Sequence, residues 1–311
     1  MALLAVFGSL EAEVLPWALV RVSVAHVREN PGHASEMGSQ VIMGTPLKVT
    51  SEKNGWYGIE TPEGYRGYVI GNSLKLLTED DMRRWRSSDR AVVTSIDQTY
   101  IYKPDLDPDR GVGTKNFRLQ RISDVVNGSV LEILPVKRGE DMVSVRLPDG
   151  REGVMRSADV ENLIEWKQRA TDIDAVIDFA TALMGTPYLW GGTSTKSMDC
   201  SGLTKIAYLS QGLILPRNAS QQAKTGVSIP MADRSAFRKG DLLFFGNKDT
   251  GRINHVGMYI GNDKFIHCAG RVRVNSLDQN APDYMALSLL AVRRLDPNTM
   301  KSLSLAVHPW F

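Results

Sequence analysis

The sequence predicts an α+β protein: two small all-β barrels, then a domain of helices packed on an antiparallel sheet. Three observations predict this. Residues 19–70 run as short alternating apolar and polar segments broken by turn residues. A related pattern returns 86 positions later. From Thr171 the apolar residues take helical spacing, and after about residue 240 the texture is strand-like again.

At 311 residues the chain has room for two or three domains. Hydrophobic residues make up 42% and charged residues 23%, the balance of a folded globular protein. The 37 basic and 35 acidic residues nearly cancel. No basic stripe stands out, so no nucleic-acid partner is expected. Two cysteines, Cys200 and Cys268, do not make a disulfide framework. No clustered Cys/His/Asp spacing suits zinc, and no metal or cofactor is expected. The opening MALLAVFGS lacks a positive region, and Glu11 and Glu13 follow at once. It reads as a poor secretory signal and is too short to span a membrane.

In the first barrel, LVRVSVAHVREN puts Val20, Val22 and Val24 on one side, with Arg21 and Ser23 on the other. Pro31-Gly32 breaks the run. PLKVT, GWYGIE and YRGYVI follow, separated by Lys53-Asn54-Gly55 and Pro62-Glu63-Gly64. Several short strands at this spacing predict a small barrel over residues 16–77. Thr78–Arg86 predicts a short linking helix, capped by Thr78, acidic first and basic later. The linker covers residues 78–90. Residues 144–155 then match residues 58–69, so residues 91–164 are expected to form a second barrel. It carries a longer polar insert around Asp105–Asn116.

The third domain is expected over residues 165–311. Ile173, Val176, Ile177, Ala180, Leu183 and Met184 predict a helix, with Thr171 or Asp172 as cap and Gly185 as stop. Then comes PYLWGGTSTKSMDCSGL, residues 187–203, with Cys200 just before a second amphipathic run: Leu203, Ile206, Ala207, Leu209 and Leu213. Cys200 therefore falls near a helix N-terminus, where backbone N–H groups and the dipole favour a thiolate nucleophile. Asp199 can cap that helix, although its charge opposes the thiolate. GDLLFFG, HVGMYIG, KFIHCAG, VRVNSL and LLAVRRL supply the sheet.

Two histidines lie on adjacent predicted strands, joined by Gly261-Asn262-Asp263, a hairpin signal. Parity decides whether they meet. A plain two-residue loop puts His255 and His267 on opposite faces. An odd loop or a bulge pairs His267 with Gly257 or Tyr259 and brings both rings to one face, and this is the expected arrangement. Cys200 is then the nucleophile, His255 the base, and His267 the group that orients His255. Cys268 points away from His267 and is expected in the core.

Pro187-Tyr188-Leu189-Trp190-Gly191-Gly192, Asp199-Cys200-Ser201-Gly202-Leu203, Gly240-Asp241-Leu242, the His255–Gly261 run and Ile266-His267 together resemble the NlpC-type cell-wall peptidases. The resemblance spans about Ile173–Leu295. It implies a papain-like fold and Cys–His–His catalysis. The bond it implies joins a D-γ-glutamyl carbonyl to meso-diaminopimelate or lysine. Residues 16–77 and 91–164 resemble bacterial SH3-like domains, through V-R-E-N-P and the W-Y…P-E-G-Y-R-G-Y-V tail. The whole arrangement is similar to γ-D-glutamyl-L-diamino-acid endopeptidases acting on peptidoglycan peptides with a free N-terminal L-Ala.

That resemblance implies further roles. The first SH3-like domain would close one end of the cleft. Asp199, Ser201 and Trp190 would line the L-Ala-γ-D-Glu pocket, with Ser220 as a further substrate contact. Glu36 and Tyr65 would hold the α-ammonium. Tyr188 would form the oxyanion hole with the Cys200 N–H. Arg217-Asn218-Ala219-Ser220 departs from the Arg-Asp-Ser or Arg-Asp-Ala of related enzymes, leaving a neutral amide at Asn218. A catalytically idle wall-binding protein, or an amidase or acyltransferase on the same plan, are the other readings. A monomer is expected. It would work in the cell envelope or periplasm if a leader is removed, and in cytoplasmic recycling otherwise.

Overall fold

Period-two alternation builds the first two domains. A computed structural model of the chain describes residues 15–103, 120–136 and 141–311. The expectations for residues 1–9 and for the insert around Asp105–Asn116 lie outside the described residues. The first barrel consists of β1 (Trp17–Val20), β2 (Val24–Arg28), β3 (Met37–Ile42), β4 (Pro46–Lys53), β5 (Trp56–Glu60), β6 (Arg66–Ile70) and β7 (Leu74–Leu77). Their order in the sheet is β3-β2-β6-β5-β4-β1-β7. Ala18, Val20, Ala25, Val27, Leu47, Ile59 and Val69 fill it.

The helix α1 (Glu79–Ser87) follows, closed by a reciprocal capping box between Thr78 and Asp81. The second barrel uses β8 (Arg90–Val93), β9 (Thr99–Tyr102), β10 (Arg121–Val125), β11 (Val130–Ile133), β12 (Met142–Arg146), β13 (Glu152–Arg156) and β14 (Val160–Asn162). Its order, β10-β9-β13-β12-β11-β8-β14, repeats the first barrel strand for strand. The two barrels are fused. Met43 of the first is fully buried among the core residues of the second. Gly44 has φ +79°, and a Cβ there would sit 1.9 Å from the Val130 carbonyl oxygen. Only glycine fits that crossing.

After α2 (Leu163–Lys167) come α3 (Ile173–Ala182), the hairpin β15 (Thr193–Ser194) and β16 (Ser197–Met198), α4 (Cys200–Leu209) and α5 (Ala219–Gln222). The strands β17 (Val227–Ser228), β18 (Leu242–Gly246), β19 (Ile253–Gly261), β20 (Lys264–Ala269), β21 (Arg271–Ser276) and β22 (Leu289–Arg294) form one sheet, ordered β17-β22-β18-β19-β20-β21. Asp172 caps α3 through its side chain. The main core lies between α3, α4 and one face of this sheet, around Val176, Leu203, Phe244, Val256 and Ile266. Phe245, Phe265 and Val292 pack on the other face. The C-terminal α6 (Pro297–Leu303) leads to Trp310, whose ring meets Trp17 edge-on at 5.3 Å. The chain end is thus pinned back onto the first barrel.

Candidate active site

The histidine pair depends on one extra residue in β19. Asn262 and Asp263 both have positive φ, as a tight two-residue hairpin requires. Such a loop alone would separate the rings. The register shifts between Tyr259 and Gly261, however, which leaves Ile260 as a bulge. Gly257 then stands opposite His267. His255, two positions earlier, shares its face. The rings meet edge to face with centroids 5.0 Å apart, and His255 Nε2 lies 2.8 Å from His267 Nδ1. His267 Nε2 lies 2.9 Å from Asn275 Oδ1.

Cys200 is the first residue of α4. Asp199 caps the helix, its Oδ1 accepting from the Gly202 N–H at 2.7 Å. α4 packs across β19 and β20. This sets the Cys200 sulfur within hydrogen-bond reach of the backbone N–H of Val256, the residue after His255, and of Ser201. Only 8% of Cys200 is exposed. Burial, reinforced by Asp199, pushes its thiol up to about 11, against the two N–H groups. Burial, reinforced by His267, holds the His255 imidazole down to about 4. Burial also lowers His267, with Asn275 opposing and Arg273 adding. Burial thus opposes the thiolate expected from the helix N-terminus and favours the neutral thiol and the neutral imidazole. The helix N-terminus aids the sulfur but does not outweigh its desolvation.

Tyr188 is half-buried beside this centre. Burial, then Cys200 and Asp199, push its hydroxyl up to about 12, so it remains a donor. Cys268 is free and fully buried, its thiol 3.3 Å from the Met198 carbonyl oxygen. Leu189 and Trp190 are exposed on the preceding loop, Trp190 by 60%.

Beneath the site lies a buried ionic cluster. Arg217 donates to both oxygens of Asp199, to Ser201 Oγ at 2.9 Å and to Ser39 Oγ of the first barrel at 3.1 Å. Arg217, Asp199, Ser201 and Ser39 are all buried. Sequence reading placed Asp199 and Ser201, named Arg217 only within its motif and without a role, and missed Ser39. A lone arginine in the apolar run ILPRNA was the one available signal. Ser220 is exposed on the short α5 and takes no part in these hydrogen bonds, and Asn218 is the exposed N-cap of α5.

The first barrel grips the loop before Cys200. Thr193 N–H donates to Gln40 Oε1 and Thr193 Oγ1 to the Gln40 carbonyl, both at 2.9 Å. Ser194 Oγ also reaches Gln40 Oε1. At Gly191, with φ +78°, a Cβ would lie 2.3 Å from the Met37 carbonyl oxygen. β3 therefore packs directly against the loop ahead of Cys200. On the same barrel the Tyr65 hydroxyl and a Glu29 carboxylate oxygen both lie within 3.4 Å of the point a Gly38 Cβ would occupy. Burial, then Glu29, raise the Tyr65 phenol; Glu36, Arg217 and Asp199 also act on it. Tyr65 thus lies within electrostatic reach of Glu36, Arg217 and Asp199. Glu29 is a neighbour that sequence reading did not single out.

Comparison with known proteins follows this division. Residues 185–294 match the NlpC/P60 family, and residues 23–75 match the bacterial SH3 domain. The chain is 28% identical over 264 residues to a γ-D-glutamyl-L-lysine dipeptidyl-peptidase of Bacillus cereus, covering 81% of this chain and 74% of the relative. It is 27% identical over 290 residues to dipeptidyl-peptidase 6 of Lysinibacillus sphaericus, covering 89% and 99%. The crystal structure of an NlpC/P60 family protein from Bacillus cereus superposes with a TM-score of 0.72 at 23% identity, covering 89% of this chain and 99% of that one. At that identity the likeness is one of fold.

Proposed function

We propose that this chain, whose C-terminal domain belongs to the NlpC/P60 cysteine peptidases and whose first barrel is a bacterial SH3 domain, hydrolyses the γ-D-glutamyl–diamino acid bond of peptidoglycan stem peptides with a free N-terminal L-Ala. The observation that carries this reading is the His255–His267 pair on one sheet face, with Cys200 at the head of α4 reaching the backbone N–H of Val256, the residue after His255. The name of the Bacillus cereus relative, a γ-D-glutamyl-L-lysine dipeptidyl-peptidase, points to peptides of this class.

Chemistry follows from the resting protonation. The thiol proton of Cys200 passes to His255 as sulfur attacks the γ-carbonyl carbon. The oxyanion is met by the Cys200 N–H and the Tyr188 hydroxyl. His255 returns the proton to the departing amine of the diamino acid, and a γ-glutamyl thioester remains on Cys200. Water, deprotonated by His255, then releases the dipeptide and restores the thiol. Glu36 and Tyr65 offer a negative carboxylate and a hydroxyl to the substrate ammonium. A blocked N-terminus would leave the carboxylate unpaired.

The test is incubation with L-Ala-γ-D-Glu-meso-diaminopimelate, its lysine counterpart and their N-acetylated forms. Release of L-Ala-γ-D-Glu from the free peptides alone supports the reading. Equal cleavage of acetylated peptide sinks the free-amine specificity. Binding without turnover favours a wall-binding protein.

The site needs one proton shared by Cys200 and His255. kcat/KM is expected to hold a plateau between about 4 and about 11, with the acid limb at the lower value. Folding lowers both imidazoles from their usual 6.5, so the unfolded chain binds more protons below that pH. Stability therefore rises with pH through this window, and thermal melts should show Tm falling from pH ~6.5 towards ~4.

A further inference from the structure

The reading of Cys200, His255 and His267 as catalytic leaves one question of protons open. A neutral imidazole carries its hydrogen on one of two nitrogens. If His255 carried it on Nδ1, only Nε2 could act as base, and Nε2 is taken up by His267. Something must set the tautomers.

The chain of contacts beyond His267 sets them. Asn275, on β21, is buried, and its amide touches three groups. Arg273 Nε lies 2.7 Å from Oδ1, His267 Nε2 lies 2.9 Å from the same oxygen, and Nδ2 lies 2.7 Å from the Asp283 carbonyl oxygen. An arginine Nε–H can only donate, and a carbonyl oxygen can only accept. The amide orientation is thus forced at both ends: oxygen towards Arg273, nitrogen towards Asp283. The Asp283 segment is itself held, by Lys264 Nζ on its carboxylate at 2.6 Å and by the Ser276 N–H on the same carbonyl.

Each further step then has one solution. His267 Nε2 faces an acceptor and must carry hydrogen. Its Nδ1 is bare and must accept from His255 Nε2, which carries hydrogen in turn. His255 Nδ1 is left with its lone pair.

We infer that Asn275 is a positioning residue, locked by Arg273 and the Asp283 carbonyl, that fixes both histidines as Nε2–H tautomers and leaves Nδ1 of His255 as the base. Strand register makes this possible. His267 stands opposite Arg273 and Phe265 opposite Asn275, so all four side chains share the His255 face. An amide is suited to the task. It accepts from His267 without adding a charge that would trap the proton on the imidazole pair.

Long-range proton–nitrogen correlation spectra of the full chain, with 15N-labelled histidine, read the tautomers directly. His255→Gln and His267→Gln variants assign the signals. Both residues should show hydrogen on Nε2. Hydrogen on Nδ1 of His267 overturns the inference without touching the peptidase reading. Conversely, absence of turnover would sink the reading and leave the tautomer result standing.

Two variants extend the test. Asn275→Ala should lower kcat by about 10- to 100-fold with KM nearly unchanged, a part of the roughly 100- to 10,000-fold that general base catalysis supplies, and should give His267 mixed tautomers. Asn275→Asp restores the acceptor and should rescue the Nε2–H tautomer. It should also move the acid limb of kcat/KM up by about one unit, because a carboxylate stabilises the His267 imidazolium. The groups facing the pair are Arg273 and residue 275 on β21, and Asp199 and Cys200 at α4. Arg273 tempers that shift. Wild-type kcat in Asn275→Ala, or a lower Tm with unchanged histidine signals and pH profile, would reduce Asn275 to a buried structural amide.

Discussion

The two barrels share a strand order but not a duty. In each, the edge strand meets the β15–β16 hairpin that precedes Cys200: β3 from the first barrel, β10 from the second. The first barrel meets it with Gln40, a buried side chain that answers the Thr193 N–H and the Ser194 hydroxyl. The second meets it with Asp124, which pairs with Lys196 where both side chains are partly open to water. Ser39, next to Gln40, continues into the Arg217–Asp199 cluster under the nucleophile. The second barrel adds apolar packing instead, with Val92 and Val130 against Leu163, Trp166, Ile214 and Leu305. Duplicating a fold repeats its backbone, while function follows the side chains that one copy buries against the cleft.

The sharpest way to break this contrast is at Arg217. Arg217→Leu leaves the Asp199 carboxylate buried without its cation. A loss of about 3–5 kcal/mol in denaturant melts is expected, with activity lost as well. A stable, active variant would show that the cluster does not tie the barrel to the site. Gln40→Ala comes next. It strands the buried Thr193 N–H, which should cost about 1–3 kcal/mol and lower kcat/KM by loosening the loop ahead of Cys200. Glu36→Ala should leave stability near wild type but reduce kcat/KM for free-amine peptides by about tenfold, in line with one lost charged contact. Unchanged kinetics would remove the first barrel from substrate recognition. Asp124→Ala should do least: an exposed pair contributes about 0–1 kcal/mol, and turnover should not change. A large effect there would make the barrels functional equals.

Much of this was legible in the chain. The repeat at an offset of 86 appears as β5 and β6 recurring in β12 and β13. The helix predicted over Thr78–Arg86 runs over Glu79–Ser87 with Thr78 as its cap, and Asp172 proved to be the cap of α3. Cys200 at the head of a helix could be read from the glycines before it and the apolar spacing after it. Ser39, Gln40 and Asn275 could not be read, and Arg217 showed only as a lone arginine in an apolar run. Each matters through a partner far away in the chain or on a neighbouring strand, and no local pattern marks a polar residue that folding will bury.

By itself the sequence determined which elements form, because period and capping are local properties of the chain. It also narrowed the histidine pair to two parities. Only the tertiary structure chose between them, through the register shift at Ile260 in the pairing of β19 with β20. The protonation of Cys200 was likewise a tertiary matter. A helix N-terminus favours a thiolate locally, but desolvation depends on everything packed around the sulfur, and here it is the larger effect.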